Sequence, residues 1–196
     1  MKVPERYADA SSWSYHIDED YYAELDQTRS LFDEDWPEPG PAALYEATIF
    51  LTREARLIDD GRFNHWLDLF TDDCLYWVPV AAGGGEPRTE VSHAFDDRRR
   101  LTDRVYWLRT GLAYSQIPAS RTRRVIGNVD VFDRDPVTRL VRSNFTIHEF
   151  RAGITKLYAG WYAHTLVKTG QGWQIKVKRA SLLDSEQYHE NLTLVF

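Results

Sequence analysis

Residues 125–183 read VIGNVDVF DRDP VTRLVRSNFTIHEFR AG ITKLYAGWYAHTLVK TGQG WQIKVKRASLL, and the reading of this stretch decides the fold. Four runs rich in β-branched and aromatic residues, 125–132, 140–151, 154–168 and 173–183, are separated by Asp133-Arg134-Asp135-Pro136, Ala152-Gly153 and Thr169-Gly170-Gln171-Gly172. The dividers carry the Gly, Pro and Asp residues that tight turns need, and the runs carry the residues that fit a pleated surface. Connections this short return the chain antiparallel, so the sequence predicts a four-stranded meander. In the third run Leu157, Ala159, Trp161, Ala163 and Val167 fall on one face, and Lys156, Tyr158, Tyr162, His164 and Lys168 on the other. The apolar set is the face expected to pack on helices.

The helices are expected upstream. Leu44, Ala47, Leu51 and Ile58 recur at helical spacing, widened by Phe50 and Leu57, until Asp59-Asp60-Gly61 stops the pattern. Phe63, Trp66, Leu67 and Phe70 open a second, shorter helix that ends at Thr71-Asp72-Asp73. Cys74 to Val80 reads as a strand whose Pro79 marks a sheet edge or bulge, and Gly83-Gly84-Gly85 reads as a loop. Leu101, Val105 and Leu108 give a third helical stripe, with Asp96 and Asp97 at the end where the helix dipole favours acids. Helices first and a curved antiparallel sheet after them make an α+β layer fold.

With 196 residues, one domain of roughly 16 Å radius of gyration is expected. The net charge of −6 is unevenly spread. Residues 1–40 hold eleven acids and three bases, a net of −8, and leave 21 bases against 19 acids in the remainder. The segment Trp36-Pro37-Glu38-Pro39-Gly40-Pro41 divides the chain into an acidic arm, 1–40, and a single α+β domain, 41–196. A chain of this charge lacks the basic face that phosphate backbones require, so no nucleic acid is expected as a partner. No apolar run is long enough to cross a bilayer and no apolar signal core follows Met1, which leads to the expectation of a cytoplasmic protein without membrane attachment. Seven Trp exceed what one core of this size hides easily, and subunit contacts are a natural outlet for them.

Few residues offer chemistry. The single cysteine, Cys74, excludes an internal disulfide or a cysteine-held cluster and reads as a buried thiol. His65 lies off its helical stripe and reads as solvated, while His93 could join Asp96 and Asp97 at a metal only if that segment were helical. The Ala152-Gly153 turn sets His148 opposite Leu157, which puts His164 about 23 Å away along the ladder, so the two cannot share a ligand. Each reads as a hydrogen-bonded sheet residue. No phosphate loop, nucleophile elbow or His-Glu-x-x-His segment is present. In Ser120-Arg121-Thr122-Arg123-Arg124, strand alternation puts Arg121 and Arg123 on one face and Thr122 and Arg124 on the other, as a solvated edge or a salt-bridged subunit contact.

The stretch Tyr45-Glu46-Ala47, residues 50–63 (FLTREARLIDDGRF), Trp66-Leu67, Leu69-Phe70-Thr71-Asp72-Asp73 and Tyr76-Trp77-Val78-Pro79 resembles the opening of the small (beta) subunit of Rieske-type aromatic-ring-hydroxylating dioxygenases. Asp103-Arg104-Val105, Leu108-Arg109-Thr110-Gly111, Pro118 to Arg124, and Leu182-Leu183-Asp184 with Asn191-Leu192 continue the resemblance in order, from about Ala43 to Phe196. It implies a cone-shaped α+β fold of the cystatin-like, nuclear transport factor 2-like kind, shared with scytalone dehydratase and ketosteroid isomerase. It also implies a non-catalytic structural subunit, assembled with a large (alpha) subunit as three of each and served by a ferredoxin and reductase. On that resemblance the Rieske iron-sulfur cluster and the mononuclear non-haem iron belong to the large subunit, and no catalytic, cofactor or metal residue to this chain. Arg98, Trp107, Arg109, Arg121, Arg123 and Arg124 are then candidate subunit contacts. Tyr114-Ser115-Gln116-Ile117-Pro118 and Gly160-Trp161-Tyr162-Ala163-His164 look most like benzoate-type members, which implies an aromatic carboxylate substrate for the complex. The competing expectation is a stand-alone lyase or isomerase that uses the cone interior, with His148 or His164 as the base.

Overall fold

A computed structural model describes residues 17–81, 85–111, 114–189 and 192–196. Met1, Gly83, Gly84 and Asn191, which figure in the sequence reading, lie outside these. Four helices, α1 (Glu19–Leu31), α2 (Pro41–Asp59), α3 (Phe63–Leu67) and α4 (Arg98–Thr110), surround strands β1 (Phe70–Pro79), β2 (Ser92–Asp97), β3 (Arg121–Asp133), β4 (Thr138–Arg151), β5 (Ile154–Thr169) and β6 (Gly172–Leu182). The strands form one curved sheet in the order β2-β1-β6-β5-β4-β3. β3 to β6 are the antiparallel meander expected, and His148 does pair with Leu157.

Elsewhere the sheet departs from expectation. β1 lies inside the sheet, antiparallel to β2 and parallel to β6. Of the two expectations for Pro79 the bulge is the one found, between Val78 and Pro79, where the proline has no N–H to give the ladder. Thr71-Asp72-Asp73, expected to end a helix, is already strand, because α3 stops at Leu67. The helix start at Asp97 is as expected: Asp97 accepts from the Arg100 N–H at 2.9 Å, and Gly111 closes α4 at φ 66°, the left-handed value glycine adopts freely.

Side-chain alternation divides the sheet into two faces. The inner face carries Val141, Phe145, Ile147, Tyr158, Tyr162 and Ala180 against Ala47, Leu51, Leu57 and Ile58 of α2, Trp66 of α3, and Leu101 and Val105 of α4. This inverts the expected face of β5. Tyr158, Tyr162 and His164 point into the main core, while Leu157 is 59% exposed on the other side. A ring has enough apolar surface to line a core when its polar atom faces a partner or the rim.

The outer face is half covered by α1. Asp18 caps this helix through the Tyr21 N–H at 2.9 Å. Tyr21 and Leu25 pack on Leu75 and Trp77, and Phe32 packs on Leu140 and Ala163. Each such burial contributes about 1.5–3 kcal/mol before the cost of ordering the chain. From Ile17 onward the segment read as an arm is therefore seated on the sheet, and residue 40 does not mark its boundary with the body. The tryptophans are distributed accordingly. Trp66 and Trp77 are buried, and Trp36, Trp161 and Trp173 are half-buried beneath guanidinium groups of Arg142, Arg179 and Arg139 at 4.3, 4.4 and 4.5 Å from their ring centroids. Trp107 is 51% exposed.

Candidate functional site

A buried polar cluster lies inside the cone, on the inner face. Glu54 occupies a core position of α2, between Leu51 and Leu57, and its carboxylate meets three donors. Lys178 Nζ of β6 donates to Oε1 at 2.7 Å, Trp66 Nε1 donates to the same oxygen at 3.0 Å, and His164 Nε2 of β5 lies 3.1 Å from Oε2. Glu54, His164 and Lys178 are all 2% exposed or less. Burial alone would raise the Glu54 pKa, but the Lys178 ammonium and the His164 imidazole outweigh it and hold the carboxyl well below the usual range. Burial lowers the pKa of His164 and of Lys178, and Glu54 offsets this only in part. The consistent state is a Glu54–Lys178 ion pair beside a neutral imidazole with its proton on Nε2. The Nδ1 acceptor then has no partner among the described residues.

This arrangement gives a pH dependence of defined sign. The folded pKa of His164 is depressed, so the unfolded chain binds the extra proton first, and stability falls as pH drops below the unfolded value of about 6.5. Glu54 is depressed as well and adds a further loss below about pH 4.3, its unfolded value. Urea midpoints measured between pH 8 and pH 5 are expected to decline with acidification, and His164→Gln is expected to flatten the part of the decline that begins near pH 6.5. An equal slope in both proteins would contradict the assignment.

The cluster is sealed. Lys178 Nζ stands 4.5 Å from the Tyr162 ring centroid, Tyr162 stacks on Phe145 at 4.2 Å, and Phe196 packs on Phe145 and Tyr158 at 6.3 and 5.6 Å. The Phe196 N–H donates to the Tyr76 hydroxyl at 3.0 Å, and Leu194, Val195 and Phe196 are all buried. Arg124 holds this tail: its guanidinium donates to the Val195 carbonyl and to the Asp59 carboxylate at the end of α2. A lyase or isomerase needs a carboxylate or imidazole that a substrate can reach. Sequence reasoning missed that His164 has an acid partner, but the pair it makes with Glu54 is closed off by aromatic side chains. The arrangement is a buried tie between α2, β5 and β6, and the expected alternative of a catalytic interior finds no accessible base among the described residues of this cluster.

The sequence-derived contact residues divide into two groups. Arg98 is buried and donates to the carbonyls of Leu67 and Phe70 at 2.8 and 3.1 Å, and the Arg124 side chain is 1% exposed. Both are internal ties and are corrected from the list of surface contacts. Arg121, Arg123, Trp107 and Arg109 are exposed, with Arg109 donating to Asn64 Oδ1 at 2.9 Å. Arg121 and Arg123 do share a face, and they line an open groove of about 720 Å³ that runs past Asp60, His148 and Phe150. His65 is exposed, as expected.

No metal centre assembles among the described residues, where no group of three or more His, Cys, Asp or Glu converges. Residues 92–97 are strand rather than helix, and His93 Nε2 donates to the Ser185 carbonyl at 2.9 Å while Asp96 pairs with Arg104 and Asp97 caps α4. The one cysteine in the sequence, Cys74, is buried, so a cluster held by several thiolates does not fit this chain. Burial pushes the Cys74 thiol up to about 12, against the opposing pull of Arg98. At pH 8 a soluble thiol reagent is expected to modify folded protein far more slowly than urea-unfolded protein, because the Cys74 thiol is both shielded from the reagent and held protonated. Comparable rates would show that β1 opens readily.

Residues 53–189 match the family model for the ring hydroxylating beta subunit. The benzoate 1,2-dioxygenase beta subunit of Acinetobacter baylyi is 30% identical over 145 residues, 71% of this chain and 86% of the relative. The biphenyl 2,3-dioxygenase beta subunit of Rhodococcus jostii is 30% identical over 169 residues, 80% of this chain and 90% of the relative. The equal identities mean that overall similarity does not separate a benzoate-type from a biphenyl-type arene. Among solved structures, the benzoate 1,2-dioxygenase beta subunit of Burkholderia mallei superposes with a TM-score of 0.64 at 25% identity, covering 80% of this chain and 98% of that one. The α+β cone, the order of its motifs and the matched span agree, and the chain belongs to the ring hydroxylating beta subunit family.

Proposed function

We propose that this chain is the structural subunit of a three-alpha, three-beta ring-hydroxylating dioxygenase, and that the large subunit carries the Rieske cluster and the mononuclear iron. The observation that carries the reading is the family match across residues 53–189 of a cone whose polar interior is closed by Tyr162, Phe145 and Phe196. The iron centres would supply dioxygen activation, inserting both oxygen atoms into an aromatic ring with electrons from NAD(P)H relayed by a ferredoxin and reductase. The role of this chain is mechanical. The Glu54–Lys178 pair ties α2 to the sheet and Arg124 fixes the 192–196 tail, so the cone presents a rigid outer surface to its neighbours. A rigid surface loses little conformational freedom on binding, which favours stable assembly.

The test is reconstitution. The isolated chain is expected to carry no iron and convert no arene, while a Rieske-type large subunit is expected to show stable arene dihydroxylation only with this chain present. Turnover by the isolated chain, or a large subunit equally active and stable without it, would contradict the proposal.

A further inference from the structure

Among the described residues, nothing covers the part of the outer sheet face that α1 leaves open, and this surface has a defined chemistry. The register places Arg121, Phe150 and Thr155 in one row across β3, β4 and β5, Arg123, His148 and Leu157 in the next, and Val125, Thr146 and Ala159 in a third. Directly paired residues share a face. Val125, Leu157 and Phe150 are 65, 59 and 39% exposed. The Arg121 guanidinium lies 4.7 Å from the Phe150 ring centroid, and neither Arg121 nor Arg123 forms an ion pair among the described residues. The patch is basic and apolar at once.

Its complement lies at the other end of the same strands. Asp33, Glu34, Asp35 and Glu38 are all exposed, and none forms an ion pair among the described residues. The turn that bears them is held rigidly. Arg142 donates to the carbonyls of Phe32 and Glu34 at 3.1 Å each, Trp36 Nε1 donates to the Leu31 carbonyl at 2.7 Å, and Pro37 and Pro39 stiffen the exit. Arg142 stands six residues before His148 on β4, which separates the two surfaces by about 20 Å at ~3.3 Å per residue. One copy cannot join its own acidic turn to its own basic patch.

We propose that the Arg121–Arg123 face of one copy receives the acidic 33–38 turn of a second copy, head to tail. Two different surfaces in contact make a heterologous interface, which closes as a ring when the rotation between copies divides a full turn. The inference rests on the reading of the chain as a self-associating beta subunit and adds which surfaces meet.

The experiment uses the full chain, alone and co-produced with a large subunit, in two versions. In the first, Arg121→Glu with Arg123→Glu, and separately Asp33→Lys with Asp35→Lys, are each expected to weaken association between copies at least tenfold by sedimentation. Combining all four reversals in one chain restores the attraction and is expected to restore the oligomer, and raising salt from about 0.05 to about 0.5 M is expected to weaken the native oligomer as the charges are screened. In the second, Arg123→Cys with Glu34→Cys is expected to give disulfide-linked dimers and trimers on mild oxidation, with little background because Cys74 is buried. Reversals without effect, or the absence of a crosslink in an otherwise intact complex, would overturn the proposed contact and leave the subunit reading standing. Failure to bind any large subunit, whatever the copies do with one another, would count against the subunit reading instead.

Discussion

Glu54→Ala is expected to lower the unfolding free energy by about 3–5 kcal/mol, because it leaves the Lys178 ammonium buried without its counterion. It also removes the acceptor for Trp66 Nε1 and for His164 Nε2, so three donors lose their partner in one step. A loss of this size is a large fraction of the stability of an ordinary domain. The measurement is a urea titration followed by tryptophan fluorescence. A second variant, Glu54→Leu with His164→Leu and Lys178→Met, removes charge and partner together and is expected to recover most of the loss, since apolar packing can replace a buried ion pair at little cost. A change below about 1 kcal/mol for Glu54→Ala would mean that water reaches the cluster and solvates Lys178.

Arg124→Ala is expected to be the next most damaging change, at about 3 kcal/mol or more, because it strips the buried Asp59 carboxylate of its cation and the Val195 carbonyl of its donor. Its effect differs in kind from that of Glu54→Ala. With the tail untied, Leu194, Val195 and Phe196 leave the cone, so the variant is expected to bind a hydrophobic dye and lose C-terminal residues to carboxypeptidase while the sheet persists. Arg124→Lys keeps the charge but not the planar fork that reaches Asp59 and Val195 together, and an intermediate result is expected. A tail as protected as in the native protein would show that Phe196 holds itself in place by packing alone.

The meander was readable because each of its turns is local: Asp133 to Pro136, Ala152-Gly153 and Thr169 to Gly172 carry their own turn chemistry. The place of β1 was not, since its parallel pairing with β6 joins residues about a hundred positions apart, and no alternation records a partner that distant. Sequence composition also concealed α1. Its eleven-acid context read as an acidic arm set apart from the domain, yet Tyr21, Leu25, Thr28 and Phe32 are spaced for one helical face and are the residues it buries. The buried cluster had a similar signal, for Glu54 sits in the stripe Ala47, Leu51, Ile58 where an apolar residue belongs. Lys178 gave none, because a lysine in a strand reads as solvent-facing until its partner helix is placed. For the same reason Arg98 and Arg124 read as surface charge, whereas both spend their donors inside the fold.

As a structural subunit, this chain is proposed to stabilise an oxygenase assembly from outside the chemistry. Native mass measurement of the chain co-produced with a Rieske-type large subunit tests it most directly. The expected result is one complex with equal numbers of the two subunits, three of each, and all of its iron on the large subunit. A large subunit that assembles to the same mass and stability without this chain, or iron that travels with this chain after the subunits are separated, would contradict it.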